Sequence, residues 1–228
     1  MRPRPFFVVG TDTDVGKTFI SSALLGLARG RGLRCIGMKP IAAGCRLDAG
    51  SLRSDDALSL MSASDTQVEY ETINPIAFKP HIAPHIAAAQ AGRALRAADL
   101  TAHCRAVLAR AVDFVLIEGA GGWLVPINDT ETLADVCVEL NAAVILVVGM
   151  KLGCLNHALL TAAAIERVGL ELAGWVANSV TGPMSCLDEN VDTLRERLRA
   201  PCLGVVPRLG AVDPSAAQPF LNLDPLLS

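Results

Sequence analysis

The sequence reads Phe6-Phe7-Val8-Val9-Gly10-Thr11-Asp12-Thr13-Asp14-Val15-Gly16-Lys17-Thr18 near its N-terminus, where a short apolar run leads into a loop and then a helix-length segment. Glycine, lysine and threonine between a strand and a helix are typical of a phosphate-binding loop. In such a loop Gly16 lets backbone N–H groups close on phosphate oxygens, Lys17 supplies a positive charge, and Thr18 offers a hydroxyl ligand for magnesium. We therefore expect a phosphate site here. A chance turn before a helix is the alternative.

Short apolar runs bounded by glycine, proline or aspartate recur along the chain and alternate with helix-length segments. Because almost all of these runs are apolar on both faces, they are typical of central parallel strands covered by helices on both sides. We predict strands at Phe6–Val9, Cys35–Met38, Phe114–Ile117, Val144–Val148, Ala173–Ala177 and Cys202–Val206. We predict helices at Lys17–Arg29, Asp56–Met61, Leu95–Ala111, Thr132–Leu140, Asn156–Val168 and Leu187–Leu198.

This alternation predicts an α/β fold, a doubly wound and mostly parallel sheet flanked by helices, like that of P-loop NTPases, in one domain over residues 1–228. Ligands of such a fold gather at the carboxyl ends of the strands. Two segments have few helix or strand signals. We expect Ile73–Arg93 to be a long loop and a candidate wall of the site, and Asp213–Ser228 to be irregular surface chain.

Composition excludes several classes of protein. Apolar residues make up 51% of the chain and charged residues 19%, so disorder is not expected. The stretch Ala142–Met150 is too short to cross a membrane, and Phe6–Val9 is too short for a secretory leader, so we expect a cytoplasmic protein without a membrane partner. Twenty basic and 23 acidic residues give a net charge of −3, which argues against nucleic acid as a partner. Seven cysteines without a C-x-x-C pair are expected to be buried reduced thiols.

Charged residues stand at the ends of two further predicted strands. Lys39 follows the second strand and would face the same crevice as the phosphate loop, where it would hold an anionic intermediate; an ordinary exposed lysine is the alternative. Glu118 follows Phe114–Ile117 and precedes a glycine run, as a magnesium-binding carboxylate would. Asp55 and Asp56 stand at a predicted helix start, where helix capping and metal binding both remain open.

The histidines favour no catalytic or zinc site. Pro84 stands between His81 and His85 and argues against a helical face that carries both rings. A Gly-x-Ser-x-Gly motif is absent from the sequence, so a Ser-His-Asp hydrolase is not supported.

Six stretches of the sequence carry a further signal, namely Gly10–Thr18, Lys39–Gly44, Ser54–Ala57, Ala83–His85, Glu118–Gly122 and Val148–His157. The usual phosphate-loop pattern would place its first glycine at position 11, where this chain has Thr11, so the first stretch has a longer spacer. Together and in this order, the six stretches resemble the dethiobiotin synthetase family of the deviant P-loop NTPase group, and the resemblance covers nearly the whole chain.

The resemblance implies a cytoplasmic homodimer that makes dethiobiotin from 7,8-diaminononanoate, CO2 and ATP with Mg²⁺, releasing ADP and phosphate, in the penultimate step of biotin synthesis. In the family mechanism the diamine becomes a carbamate, the carbamate oxygen takes the γ-phosphoryl group, and the second amine closes the ring. Such chemistry needs positioned cations more than a nucleophilic side chain.

The resemblance also implies roles for individual residues. Lys39 and Lys17 would be catalytic, and Thr18, Asp56 and Glu118 would bind magnesium. Nucleotide contacts would come from Asp14, Val15, Gly16, Lys17, Thr18, Phe19, Asp56, Glu118, Gly119, Ala120, Gly121, Asn178, Ser179, Pro207, Arg208 and Leu209. Substrate contacts would come from Thr13, Lys39, Ala43, Gly122, Lys151, Leu152, Gly153, Cys154 and Asn156.

Two of these implications concern the diamine. Ala43 stands where the family often has serine or threonine, so one hydrogen bond to the diamine is missing and its loss would weaken binding by about 0.5 to 1.5 kcal/mol. The start of the helix that follows Lys151 would hold the substrate carboxylate and would come from the other subunit. Gly153 and Asn156 are the small and capping residues that favour free N–H groups at that helix start.

Three other functions remain open at this point. Two are functions of other proteins with the same fold, namely an amidoligase of cobalamin synthesis and a partitioning ATPase. Partitioning ATPases, however, carry an additional lysine early in the phosphate loop, where this chain has Thr11 to Asp14. The third is a nucleotide-dependent switch that binds ATP without ligase chemistry.

Overall fold

The structure, a computed structural model, describes residues 4–65, 67–180, 182–210 and 213–227. Its strands are β1 (Phe6–Gly10), β2 (Cys35–Met38), β3 (Ile41–Ala42), β4 (Arg46–Asp48), β5 (Ser51–Arg53), β6 (Ile76–Ala77), β7 (Phe114–Glu118), β8 (Ala143–Gly149), β9 (Leu172–Asn178) and β10 (Cys202–Val206). Its α-helices are α1 (Lys17–Gly30), α2 (Asp55–Ala63), α3 (Tyr70–Ile73), α4 (Pro84–Gln90), α5 (Ala97–Leu108), α6 (Leu133–Leu140), α7 (Cys154–Arg167) and α8 (Leu187–Arg197). Two 3-10 segments follow at Pro214–Phe220 and Asp224–Leu226.

The main sheet has six strands in the order β10-β9-β8-β1-β7-β2, and every neighbouring pair is parallel. The predicted doubly wound α/β fold is confirmed. All six predicted strands and all six predicted helices are present, with ends that differ by at most three residues. The carboxyl ends of β1, β2 and β7 are neighbours in this order, so the residues that follow these strands share one edge of the sheet.

Both faces of the main sheet are buried, as the apolar runs predict. In β1, Phe7 and Val9 pack into one core layer, while Phe6 and Val8 pack into the layer on the opposite face. Helix α1 and the C-terminal 3-10 segments cover one face, and α5, α6, α7 and α8 cover the other. No helix of the described chain combines the length and apolar character that crossing a membrane requires.

Two expectations about irregular segments are wrong in part. Within Ile73–Arg93, β6 pairs in parallel with β3, and α4 begins at Pro84. Proline is favoured in the first turn of a helix, where its missing N–H is not needed, so Pro84 is a helix start rather than a breaker. In the tail from Asp213, the 3-10 segments bury Ala217, Leu223 and Leu226 against the second core layer, while Ser228 lies outside the described residues.

The hairpin of β4 and β5 is a further element that the sequence analysis did not predict. Its strands are antiparallel and joined by Ala49 and Gly50, which both have positive φ angles, 46° and 82°. Alanine rarely takes such a conformation, so the turn lacks the Asn-Gly or Asp-Gly signal by which tight hairpins are found.

Candidate active site

The phosphate-binding loop connects β1 to α1 at the carboxyl edge of the sheet. Gly16 has a φ of 85°, and a Cβ at this position would lie 2.3 Å from Nδ2 of Asn178, so the loop requires glycine here. Asp14 also has a positive φ, 58°. Helix α1 begins after Gly16 without a side-chain cap among the described residues, so its first N–H groups point at the site with the partial positive charge that attracts phosphate.

A buried lysine links two carboxylates beside this loop. Nζ of Lys39 lies 2.7 Å from Oε1 of Glu118 and 2.9 Å from Oδ2 of Asp56. It also donates to the carbonyl oxygen of Gly119 at 3.2 Å. The Thr18 hydroxyl donates to the same Oε1 of Glu118 at 2.8 Å. Residues from β7, α2, α1 and the end of β2 therefore meet at one point, as the sequence predicts for Lys39, Asp56, Glu118 and Thr18.

Burial and pairing decide the charges in this cluster. The Lys39 side chain is 5% exposed and that of Glu118 is fully buried. Burial acts to lower the pKa of Lys39, but the attraction of Glu118 and Asp56 outweighs it and raises that pKa above the ordinary value. For Asp56, burial acts to raise the pKa, yet Lys39 lowers it overall. Lys39 is thus a cation and Asp56 an anion at neutral pH.

Lys17 is the second buried cation of the site. Its ammonium lies 3.5 Å from the carbonyl oxygen of Asp12, and the residue is 7% exposed. Burial, followed by repulsion from Lys39, lowers the pKa of Lys17. Because the hydrogen bond of Lys17 to the Asp12 carbonyl is long, the charge of Lys17 is available to a bound anion.

A cavity of about 860 Å³ opens above these groups. Among the predicted residues, those lining it are Thr13, Asp14, Gly16, Lys17, Thr18, Phe19, Lys39, Ala43, Asp56, Glu118, Ala120, Gly121 and Gly122. His81, Ile82, Ala83 and Pro84 also line the cavity, in agreement with the expectation that Ile73–Arg93 supplies a wall.

The predicted base-binding residues lie behind and beside the loop. Asn178 is buried, and its Nδ2 donates to the carbonyl oxygen of Val15 at 2.8 Å. The Ser179 hydroxyl is buried without a hydrogen-bond partner in the described part of the chain. Pro207, Arg208 and Leu209 follow β10, which pairs with β9, and they do not line the cavity.

The remaining predicted substrate residues lie apart from the main cavity. Lys151 and Leu152 line a second cavity of about 350 Å³ together with Met184 and Asn190. Gly153, Cys154 and Asn156 line neither of the two cavities. Helix α7 starts at Cys154 with Gly153 as its N-cap, at a φ of 96°, so Asn156 lies in the first turn and is not the cap.

The sequence analysis did not assign Asp12, which also lines the main cavity. Its carboxylate receives the Lys151 ammonium at 2.7 Å, and this contact lowers the pKa of Asp12. The Thr11 hydroxyl accepts from the N–H of Gly149 at 3.2 Å. The phosphate loop is therefore tied to the end of β8 at two points. Residues that meet only across the sheet, 139 positions apart for Asp12 and Lys151, leave no signal in the spacing of one sequence.

The donors near Thr18 suit a hard divalent cation. Oε2 of Glu118 is buried and has no hydrogen-bond partner among the described residues, while Oε1 already accepts from Thr18 and Lys39. Two carboxylates and a hydroxyl are the oxygen ligands that magnesium prefers. No group of three or more histidine, cysteine or acidic side chains suited to a metal occurs in the described part of the chain.

A parallel sheet with a phosphate loop after β1 and a buried acid ending β7 defines the chain as a P-loop NTPase. The ParA family ATPase from Chlorobium tepidum TLS has a similar fold, with a TM-score of 0.55 at 13% identity over 91% of this chain and 85% of that one. The MinC:MinD cell division protein complex from Aquifex aeolicus also has a similar fold, with a TM-score of 0.55 at 13% identity over 94% of this chain and 86% of that one. A family model described as an AAA domain matches residues 4–216.

The sequence comparisons define the family within this class. The ATP-dependent dethiobiotin synthetase BioD of Cellvibrio japonicus is 52% identical over 227 residues, covering 100% of this chain and 99% of the relative. The protein of the same description from Pseudomonas paraeruginosa is 53% identical over 97% of each chain. The chain belongs to the ATP-dependent dethiobiotin synthetase family, an ATP-dependent ligase family of biotin biosynthesis. The predicted resemblance and enzyme class are confirmed.

Proposed function

We propose that the protein makes dethiobiotin from 7,8-diaminononanoate, CO2 and ATP by the residues that line the main cavity. One arrangement carries the proposal: two buried cations, Lys17 and Lys39, lie beside a phosphate loop in a single cavity. Both the carbamate and the phosphoryl group in transfer are anions. Positioned cations stabilise such charge most strongly in a buried site.

The proposed reaction has three steps, and Lys17 and Lys39 take part in them. One amine of the diamine takes up CO2 and loses a proton, which gives a carbamate. The carbamate oxygen attacks the γ-phosphorus of ATP, and ADP leaves. The second amine then attacks the carbonyl carbon, and phosphate leaves as the ring closes. Lys17 would hold the γ-phosphoryl group in the second step, and Lys39 would hold the carbamate oxygen and then the departing phosphate.

Magnesium would be held by Thr18, Asp56 and Glu118 and would neutralise the phosphates of ATP when bound. A charge count supports this. Lys17 and Lys39 together only offset the charges of Asp56 and Glu118, whereas a bound divalent cation would give these groups the net positive charge that attracts the phosphates of ATP. The unpartnered Oε2 of buried Glu118 is the observation in favour of a further ligand at this point.

We also propose that the chain forms one domain and acts as a homodimer in the cytoplasm, with each substrate site shared between subunits. The start of α7 is exposed at Gly153 and Asn156, and the adjacent Leu152 is 96% exposed. The partial positive charge at this helix start suits the substrate carboxylate. Since these residues do not line the main cavity of their own chain, a partner subunit would bring them to it.

Product analysis tests the activity. Purified protein is incubated with the diamine, labelled bicarbonate, ATP and magnesium, and the mixture is acidified. A ligase retains label in an acid-stable urea with the mass of dethiobiotin, whereas a nucleotide-dependent switch releases phosphate without such a product. ATP hydrolysis without an acid-stable labelled product would contradict the proposed function.

Subunit mixing tests the shared site. Lys39→Ala alone is expected to keep about a hundredth to a thousandth of wild-type kcat. Gly153→Pro alone is also expected to be strongly impaired, since proline cannot adopt the φ of 96° at Gly153. In a mixed dimer one of the two sites has both an intact Lys39 and an intact helix start. Random exchange should therefore restore about a quarter of wild-type activity. No recovery after demonstrated exchange would show that each chain builds its substrate site alone.

A further inference from the structure

The peptide groups flanking Lys39 are held by the segment that follows α3. The backbone N–H of Lys39 donates to the carbonyl oxygen of Ile73 at 2.9 Å. The carbonyl oxygen of Lys39 accepts from Nδ2 of Asn74 at 2.6 Å, and the same Nδ2 donates to the carbonyl of Ile76 at 3.2 Å. Asn74 is 2% exposed. A buried amide that bridges two backbone carbonyls fixes the path of the chain at Lys39, because leaving either partner unpaired is costly.

The Tyr70 hydroxyl extends this network to α2. It donates to Oδ1 of Asn74 at 2.9 Å and accepts from the backbone N–H of Ser54 at 2.7 Å. Ser54 is the N-cap of α2, and Asp56 in the first turn of that helix binds the Lys39 ammonium. The contacts close a ring that runs from the Lys39 ammonium through Asp56, Ser54, Tyr70 and Asn74 back to the Lys39 peptide.

We infer that Tyr70 and Asn74 are positioning residues for the reaction, since together they fix the Lys39 backbone relative to the helix that carries Asp56. The inference rests on the proposed role of Lys39. A lysine stem has several rotatable bonds, so the ammonium is placed by its anchor at the peptide and by its partner at the tip. The Tyr70 hydroxyl joins these two fixed points. Neither residue lines the cavity, so neither touches substrate.

The surroundings of Tyr70 keep its hydroxyl in this role. The ring is buried, and the Arg53 guanidinium lies 4.1 Å from its centroid. Burial raises the pKa of the Tyr70 hydroxyl, so it stays a neutral group that donates one hydrogen bond and accepts another.

Tyr70→Phe tests the inference because it removes one oxygen and keeps the ring. We expect kcat to fall about tenfold to a hundredfold, as is typical when a catalytic group is misplaced by about 1 Å. The KM for ATP should change little, while the magnesium concentration for half-maximal rate should rise, since Asp56 moves with α2. Asn74→Ala, which removes the donor to the Lys39 carbonyl, should reproduce the loss of kcat.

His103→Phe is the matched control. The His103 Nε2 lies 2.8 Å from the carbonyl oxygen of Thr72, so this variant loses a hydrogen bond to the same α3 segment without contact to Lys39 or Ser54. It should lower the unfolding temperature as Tyr70→Phe does and leave kcat and the magnesium dependence at wild-type values. A merely structural role for Tyr70 predicts that the two variants behave alike, and that result would overturn the inference.

A double variant separates this outcome from failure of the proposed function. In the Lys39→Ala background, Tyr70→Phe should cause no further loss of kcat, because its effect passes through Lys39, while its effect on the unfolding temperature persists. Independent, multiplying losses of kcat would contradict the inference. A wild-type protein that forms no labelled dethiobiotin would instead refute the proposed function. In that case a crystal structure of Tyr70→Phe decides the inference by whether the Lys39 to Asp56 contact is kept or broken.

Discussion

Replacing Lys39 with methionine should separate the structural from the catalytic contribution of the buried lysine. Methionine keeps an unbranched stem of similar length and removes the charge. In wild type the ammonium lies 2.7 Å from Glu118 and 2.9 Å from Asp56, and Glu118 is fully buried. Without the ammonium these carboxylates face each other uncompensated, so we expect the variant to be less stable as well as less active.

The magnitude follows from the geometry of the cluster. Removing one partner of a buried ion pair typically costs about 3 to 5 kcal/mol, because a charge is left buried and unpaired. For a chain of this length, 1 kcal/mol corresponds to about 2 to 4 °C in the unfolding temperature, so we expect a fall of about 6 to 20 °C. Loss of the electrostatic contact to the carbamate should reduce kcat by about 10² to 10³.

The assay combines calorimetry with initial rates, and Lys79→Met serves as the control. Lys79 is exposed, so the same substitution there should leave the unfolding temperature within about 1 to 2 °C of wild type. Millimolar magnesium should stabilise Lys39→Met more than wild type, because the metal then supplies the missing positive charge. Equal stability of Lys39→Met and Lys79→Met would refute the reasoning, and so would equal stabilisation of wild type and Lys39→Met by magnesium.

The stability difference between wild type and Lys39→Met should depend on pH in a definite direction. The raised pKa of Lys39 means that its stabilisation is complete below the ordinary lysine range and is lost only as the pH rises through the folded value. The lowered pKa of Asp56 means that its stabilisation is present above the ordinary value of 3.8 and is lost as the pH falls through the folded value. The stability gap between wild type and Lys39→Met should therefore be constant from about pH 6 to about pH 9. The stability gap should narrow in acid, because protonation removes the charge of Asp56, which the variant leaves without its lysine partner.

Three further predictions concern the same sheet edge and one helix. Lys17→Ala should reduce kcat by about 10² to 10³ in rate assays with little loss of stability, because the hydrogen bond of this buried cation to the Asp12 carbonyl is long, at 3.5 Å; near wild-type turnover would contradict the loop assignment. Asp56→Asn and Glu118→Gln should each raise the magnesium concentration for half-maximal rate in metal titrations, with carbamate formation still detectable; an unchanged requirement in both would exclude a shared metal. Thr132→Ala removes the hydroxyl that donates to Asp135 at 2.9 Å at the start of α6 and should cost about 1 kcal/mol in denaturant unfolding with kcat unchanged, whereas an unchanged midpoint would mean that this hydroxyl contributes nothing.

The main sheet was predictable because its strands are buried on both faces. Val144–Val148 is apolar at every position, and such a run can be satisfied only in the interior of a sheet covered on both sides. The strands of only two residues were not predictable, because they are too short to show a pattern. Ile41–Ala42 and Ile76–Ala77 form a parallel pair of two residues each, and a pattern of period two cannot be recognised over two positions.

Within the site, the residues at the ends of strands could be predicted from the sequence, but the residues that hold them in place could not. Lys39 and Glu118 could be found because the topology of an open α/β sheet brings strand ends to one edge. Asn74 and Tyr70 carry no such mark. An asparagine before a proline reads as a turn, and its contact with the Lys39 carbonyl depends on a fold-back of 35 residues.

Lys39 is anchored through its peptide group. This would allow one side chain to contribute both to stability and to the proposed chemistry. Its ammonium is paired with Glu118 and Asp56, yet in the proposed reaction the same ammonium would reach the carbamate. The hydrogen bonds from Ile73 and Asn74 are made to the Lys39 peptide, not to its tip. A change of partner at the ammonium therefore leaves the anchor intact, and the cost of moving is limited to the ion pairs. Magnesium bound by the two carboxylates would lower that cost further, since the metal takes over the charge that Lys39 neutralises. If the two carboxylates bind magnesium as proposed, arrival of the metal would release the lysine, and the peptide anchor would confine the ammonium to the cavity in both states.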